Sequence, residues 1–279
     1  MRGEAWVDQA RHPYVDGETA WIPVREGFPF DREIPERHAY GGRGYFMLGD
    51  VAVVHGDRPA AEEVEGIVRF RRPRGVLWIA SLEGVTRTPV TEVLWGSAGE
   101  VCHKEEGYIY YLDPSRVMFA QGNRDEKMRM ARLVREGPGG ARVGDMFAGI
   151  GYFTVPMAGS GAQVHAMEIN PEACAYLERN IASNSLSGRV QVSCGDCRTL
   201  LSGTYDRVVM GHFDAVTMLP VVFSHVRPGS VIHVHSIGDA SGTICEYAEG
   251  AGFSPSIHVH KVKKYRPHAW HIVQDVTLS

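Results

Sequence analysis

The sequence predicts an α/β protein: a doubly wound parallel sheet with an antiparallel edge strand, preceded by a small N-terminal α+β domain. Three observations lead there. From about residue 126, five β-like runs alternate with helical patterns at the spacing of βαβ units. The chain then closes on two β-like runs joined by Arg266-Pro267-His268, which reads as a terminal hairpin. Before residue 125 the runs are short and broken by turn residues, as in a small mixed or antiparallel unit. The expected domains are therefore residues 1–125 and 126–279.

Taken in order, residues 1–40 are rich in Pro, Arg and Glu and are expected to be a low-order or small appended element. Strand-like runs follow at Tyr45–Val54, Gly75–Ile79, Thr91–Trp95 and Tyr108–Leu112. Asp125–Glu136 reads as a helix with Met128, Ala131, Leu133 and Val134 inward, stopped by Gly137-Pro138-Gly139-Gly140. The five strands are expected at Arg142–Phe147, Gln163–Glu168, Arg189–Cys194, Asp206–Gly211 and Ser230–His235. Helices are expected near Tyr152–Gly159, Pro171–Asn184, Ala215–Val226 and Ala240–Ala251, with the hairpin at Ile257–Tyr265 and Trp270–Thr277.

The 279 residues are roughly twice the usual length of one domain, and 44% apolar content is enough for a sizeable core. With 29 Lys+Arg against 33 Asp+Glu the net charge is −4, which excludes a histone-like or tail-driven nucleic-acid binder but not a local basic surface. No apolar run approaches the ~18 residues of a membrane span, and Met1–Trp6 has no apolar signal core. A cytoplasmic protein is expected, with Cys102, Cys174, Cys194, Cys197 and Cys245 as reduced thiols.

The chemistry gathers at the carboxyl ends of three successive strands. The first ends Asp145-Met146-Phe147-Ala148-Gly149-Ile150-Gly151, and a Gly-x-Gly turn there brings backbone N–H groups close to a ligand. Such glycines are often only structural. The second ends in Glu168, placed to accept both hydroxyls of a ribose; its plain alternative is a solvated acid beside Asn170-Pro171. The third ends Cys194-Gly195-Asp196-Cys197, where Asp196 can accept from an adenine amino group or simply cap a turn. Three such features together are far more specific than one. Tyr152-Phe153-Thr154 after Gly151 departs from the nicotinamide fingerprint, and no phosphate-loop motif occurs. The set resembles a Rossmann-like, class I S-adenosylmethionine (AdoMet) transferase.

Three further segments narrow this. Asp145–Gly151 recurs with Phe119-Ala120-Gln121-Gly122-Asn123 plus Glu126–Met130, and with the tail Lys263–His271. Together they resemble the family of enzymes that modify position 37 of tRNA, which includes guanine N1-methyltransferases and wybutosine-pathway aminocarboxypropyltransferases. Leu48-Gly49-Asp50-Val51 and Gly96-Ser97 before His103-Lys104-Glu105-Glu106-Gly107 fit as well, so the likeness spans about residues 45–279. The methyltransferase branch carries Asn/Asp-Pro-Pro-aromatic after the fourth strand. Here Met210-Gly211-His212-Phe213 stands instead and, with Ile232-His233-Val234-His235, resembles the aminocarboxypropyl branch.

The resemblance implies AdoMet as group donor and no metal. It implies transfer of the 3-amino-3-carboxypropyl group to carbon 7 of 4-demethylwyosine in the anticodon region of tRNA(Phe); a monomer with no membrane contact is expected. Cofactor contacts carry over to Ala120, Lys127, Glu168, Asp196 and Cys197, with Asp145, Phe147, Gly149, Gly151, Ile169 and Met210 lining the same edge. Two are departures: the family commonly has a small hydroxyl residue at Ala120 and Arg at Lys127. Lys127 keeps the charge to hold the methionine carboxylate but loses the bidentate fork; the alternative is an ordinary solvated helix residue. His212 is the candidate proton acceptor, with a structural or shelf-like histidine as its plain alternative. His233 and His235 share a strand face, as do His258 and His260, and Cys194-x-x-Cys197 has no second ligand pair, so zinc is rejected.

Two basic stretches with interleaved aromatics suit RNA phosphates and bases: Arg69, Arg71, Arg72 and Arg74 around Phe70, and Lys261, Lys263, Lys264 and Arg266 around Tyr265. A solvated face is the ordinary reading of such runs. A position-37 guanine methyltransferase and a non-catalytic AdoMet- and tRNA-binding protein remain as alternatives.

Overall fold

A computed structural model describes residues 4–11, 13–16, 19–32 and 40–279. It divides into two compact units, residues 1–41 and 42–279. The first contains the short antiparallel pair β1 (Tyr14–Asp16) and β2 (Thr19–Trp21).

The second unit opens with a four-stranded sheet. β3 (Phe46–Leu48) turns through Gly49 (φ +53°) into β4 (Val51–His55); helix α1 (Ala61–Arg71) then crosses to β5 (Gly75–Glu83), parallel to β4, and β6 (Thr88–Gly96) pairs back on β5. A separate hairpin follows, β7 (Val101–Glu105) and β8 (Tyr108–Leu112). Its two-residue loop, Glu106-Gly107, has both φ values positive (+51° and +84°), the backbone a tight primed turn demands.

The rest is the doubly wound sheet. Helix α2 (Arg124–Glu136) leads into β9 (Arg142–Asp145), α3 (Thr154–Gly159), β10 (Gln163–Glu168), α4 (Pro171–Ser183), β11 (Val190–Cys194), the single turn α5 (Cys197–Leu200) and β12 (Arg207–Met210). One-turn α6 (Leu219–Val222), β13 (Val231–Ile237), α7 (Ser241–Gly250) and the hairpin β14 (Pro255–Arg266)–β15 (Ala269–Leu278) complete it. The strand order is β11-β10-β9-β12-β13-β15-β14, with β15 antiparallel to β13. The order reverses between β9 and β12, so ligand chemistry belongs at the carboxyl ends there.

One apolar cluster joins Leu48, Leu77 and Leu112 to Met130, Ile150, Leu177 and Val209, so segments before and after residue 125 share a core. A second cluster, with Met146, Tyr205, Val222, Ile232 and Ile244, fills the other face of the large sheet. Burying such clusters is the main stabilisation of the fold.

Three expectations need correction. Ala215–Val226 is not one helix: 3-10 turns at Ala215–Met218 and Phe223–His225 flank α6, because Pro220 cannot donate to the helical ladder. In α2 the buried apolar positions are Met130, Ala131 and Val134, with Glu126 and Lys127 buried as well, whereas Met128 and Leu133 are only half-buried. The five thiols are not all free either. Cys174 and Cys194 are joined as a disulfide, Cα atoms 6.1 Å apart, because the first turn of α4 rises over the end of β11.

Candidate active site

The turn after β9 is built by its own backbone. Met146 N–H donates to Val209 O and Ala148 N–H to Met167 O, which ties the turn between β12 and β10. Gly149 and Gly151 both have positive φ, but for different reasons. A Cβ on Gly151 would lie 2.8 Å from Val155 Cγ2 and 3.1 Å from Leu177 Cδ1, so this glycine permits the close approach of α3 and α4. Around Gly149 there is open space: among the described residues nothing lies within 4 Å of where its Cβ would be. Asn180, fully buried in α4, donates to Ile150 O (2.9 Å) and accepts from Tyr111 N (2.7 Å), pinning the turn to β8.

Asp145 does not reach the open side. It is fully enclosed, accepts from Thr154 Oγ1 (2.7 Å), and burial pushes its carboxyl up to about 6. Its contribution is the shape of the turn. Met210, also fully buried, is floor rather than contact, while half-buried Phe147 stacks on His212 (5.3 Å).

Glu168 fits a ribose. One carboxylate oxygen accepts from Gly149 N and the other from Asn170 N, both at 2.8 Å. Burial raises its pKa, and these backbone hydrogen bonds oppose the rise. Each oxygen keeps acceptor capacity for a hydroxyl. Beside it, Ile169 is 40% exposed, an apolar surface next to the open space at Gly149. Asp196 caps α5 by accepting from Arg198 N (2.9 Å) and pairs with the Arg198 guanidinium, so an adenine amino group would have to share it. Cys197 is buried, and burial pushes its thiol up to about 11. Polar carboxylates at two strand ends with an apolar shelf between them suit a nucleoside.

Lys127 is placed differently from the expectation. It is 2% exposed, its ammonium 4.1 Å from the Tyr152 ring centroid and 5.7 Å from that of Phe119. Its Nζ donates to Glu105. His103 Nδ1 accepts from Gly49 N, so its ring proton sits on Nε2 and faces the same carboxylate at 3.4 Å. Burial alone would raise the Glu105 pKa, but the hydrogen bonds from His103 and Lys127 outweigh it and hold the group at about 2. A charge already neutralised in an aromatic cage is not offered to a ligand. Ala120 lies half-buried just before the 3-10 turn Gln121–Asn123.

His212 accepts from Asp214 N at Nδ1 (3.2 Å), which uses the lone pair a proton acceptor needs and leaves Nε2 as a donor. Burial and the Arg87 charge also lower its pKa. The geometry is that of an aromatic shelf over Phe147. Sequence reasoning missed its neighbour Phe213, which meets Tyr265 (5.3 Å) and His271 (5.0 Å) edge-on from the terminal hairpin. His271 Nε2 lies 2.9 Å from His235 Nδ1. The only sequence signal was aromatic content at the strand end.

The basic residues divide. Arg69, Arg71 and Arg72 are exposed at the end of α1. Arg74 is not available: it pairs with Asp50 (2.8 Å) and donates to the carbonyls of Ala98 and Glu100. Lys264 and Tyr265 are exposed at the hairpin tip, but Lys263 is half-buried. A cavity lined by Arg142, Gln163 and His165 opens at the amino ends of the strands, the wrong edge for this chemistry.

Three comparisons agree with this geometry. Residues 101–246 match the family model described as the TRM5/TYW2 methyltransferase domain. The chain is 34% identical over 252 residues to the tRNA(Phe) (4-demethylwyosine(37)-C(7)) aminocarboxypropyltransferase of Methanocaldococcus jannaschii, covering 84% of this chain and 97% of that one. It superposes on M. jannaschii TYW2, solved in complex with AdoMet, with a TM-score of 0.67 and 30% identity, covering 85% of this chain and 99% of the other. It superposes on Trm5b from Pyrococcus abyssi with a TM-score of 0.77 and 25% identity, covering 96% and 91%. An α/β fold with this strand order, a nucleoside-shaped edge and a family match over more than half the chain place it plainly: the chain belongs to the TRM5/TYW2 methyltransferase-domain family.

Proposed function

We propose that this protein transfers the 3-amino-3-carboxypropyl group of AdoMet to carbon 7 of 4-demethylwyosine at position 37 of tRNA(Phe), leaving 5′-methylthioadenosine. The observation that carries this reading is the loop after β12. Met210 is buried, Gly211 has no side chain, and the His212 lone pair is taken by Asp214 N–H. The strand-end segment Met210–Phe213 therefore supplies no free side-chain acceptor for a target N–H, which a ring-nitrogen methyltransferase needs there; the next carboxylate, Asp214, is 87% exposed. A carbon nucleophile in an electron-rich ring attacks first and loses its proton afterward. The sulfonium, when bound, activates all three of its carbons to in-line displacement, so the carbon facing the nucleophile decides the product.

The chain's own residues then have stated tasks. Glu168 holds the ribose from a carboxylate oriented by Gly149 and Asn170. Ile169 offers adenine an apolar face, and Asp196 accepts from its amino group. The stacked pair of Phe147 and His212, with Phe213 beyond it, forms the shelf on which the target base rests. Arg69, Arg71, Arg72, Lys264 and Tyr265 are proposed as phosphate and base contacts to the anticodon region, on an α+β portion before residue 125 and on the terminal hairpin of the portion after it. We further propose a monomer acting in the cytoplasm; among the described residues no helix is long and apolar enough to cross a membrane.

The test is incubation with AdoMet and two tRNAs, one carrying 4-demethylwyosine and one carrying unmodified guanosine at position 37. The reading expects 5′-methylthioadenosine only with the first. S-adenosylhomocysteine from the second would establish the methyltransferase instead, and AdoMet and tRNA binding with no product would establish a non-catalytic binder.

A further inference from the structure

A cavity of about 410 Å³ is lined by Phe46 and His55 of the first sheet and by Phe119, Ala120, Gln121, Gly122 and Lys263. Phe119, in its wall, packs on Tyr152 (4.7 Å), the residue directly after the Gly149-Ile150-Gly151 turn, and Ala120, an expected cofactor contact, lines it too. Its floor is the 3-10 turn that leads into α2; its far side is β14, where Lys263 pairs with His271.

The cations early in α2, the helix that follows this turn, already have partners. Lys127 is committed to Glu105, Arg124 to Glu106, and Arg129 to Glu126 and Asp275. Lys263 has no ion-pair partner among the described residues, and burial lowers its pKa with no carboxylate opposing the shift. Burial and the Lys263 charge together hold His271 down to about 4, so that ring is neutral and leaves the ammonium uncompensated. Gly122 has no side chain where the Lys263 ammonium sits; a Cβ there would collide with it. A half-buried, unpaired ammonium aimed at a cavity is a site for an anion.

We propose that Lys263 holds the carboxylate of the donor's amino-acid arm, the task that the sequence resemblance assigns to Lys127. The assignment rests on the donor reading given above. Turning Lys127 toward a ligand would leave Glu105, whose side chain is 7% exposed, with only the His103 N–H at 3.4 Å opposite a buried charge. Lys263 can accept a carboxylate without breaking any ion pair. Gly122 then serves the site by leaving room for the lysine.

Calorimetric binding of AdoMet and of 5′-methylthioadenosine, which lacks the carboxylate arm, tests this on the full chain. Lys263→Ala should weaken AdoMet about tenfold or more while 5′-methylthioadenosine changes less than about twofold, and Lys263→Arg should restore part of the loss. Gly122→Ala, which displaces the ammonium, should show the same selectivity. Equal losses for both ligands would overturn the assignment in favour of a structural lysine. Unchanged AdoMet affinity with weakened tRNA binding would overturn it in favour of a phosphate contact. A wild-type protein that binds neither nucleoside would overturn the donor reading, and the assignment with it.

Discussion

Lys127 and Glu105 form an ion pair enclosed by Tyr152, Tyr110 and Phe119, so the one cation in the first turns of α2 that the family resemblance aims at a ligand faces a protein carboxylate instead. The pair ties β7 to α2 and sets Phe119 against Tyr152, on which the neighbouring turn leans. Removing one partner leaves the other charged and buried. Lys127→Met and Glu105→Gln should each cost about 3–5 kcal/mol, and the double variant should cost less than their sum. Urea denaturation of the four proteins checks this; strict additivity would mean the pair is not coupled.

The same carboxylate gives a pH dependence with a definite sign. Its folded pKa, about 2, is below its ordinary value of 4.5. The folded state therefore binds this proton less readily than the unfolded chain. Its contribution is present above 4.5 and is lost as pH falls toward 2. Between those values the wild type should lose more stability than the double variant, which lacks the carboxylate. Parallel pH profiles for the two would contradict this.

Gly149 and Gly151 should separate binding from packing. Gly151→Ala forces a methyl against Val155 and Leu177 and should destabilise the fold. Gly149→Ala meets no atom within 4 Å and should cost only about 1 kcal/mol of backbone strain, yet its methyl projects into the open space beside Glu168. It should lower affinity for 5′-methylthioadenosine with a small change in thermal midpoint. Equal effects of the two substitutions on both measurements would count against an open nucleoside site.

Glu168→Ala should weaken AdoMet and 5′-methylthioadenosine alike, about tenfold or more, since both carry the ribose and lose charge-assisted hydrogen bonds. This pattern is the opposite of the selective loss expected at Lys263. Calorimetry that found the Glu168 effect confined to AdoMet would remove it from the ribose.

His212→Phe should keep most of the activity and His212→Ala should not, because the ring serves as a shelf on Phe147 rather than as a base. The rate of single-turnover transfer reads this directly. If the Phe variant were as inactive as the Ala variant, and the wild-type pH–rate profile showed a group of the histidine range, proton transfer would have to be assigned to His212 after all.

The sheet was legible because its punctuation is local. Gln163–Glu168 and Tyr108–Leu112 fall where their patterns place them, and α4 begins at Pro171 behind the Asn170 cap. Helix α1 went unread, since only Val64 and Ile67 on it are buried. So did β7, whose Cys-His-Lys-Glu text looks like a polar loop until Glu105 meets Lys127. The ends of three strands announced the site's type. What each side chain does there was not legible: the partners of Lys127, Arg74 and Cys174 lie 22, 24 and 20 residues away along the chain and meet only through tertiary packing.

The most direct test uses AdoMet carrying one label on its methyl group and another on its methionine carboxylate, reacted with tRNA(Phe) that bears 4-demethylwyosine. The account predicts that the carboxylate label enters the RNA while the methyl label stays on the released thioadenosine. Methyl label in the RNA, with the carboxylate label on released homocysteinyl nucleoside, would contradict it.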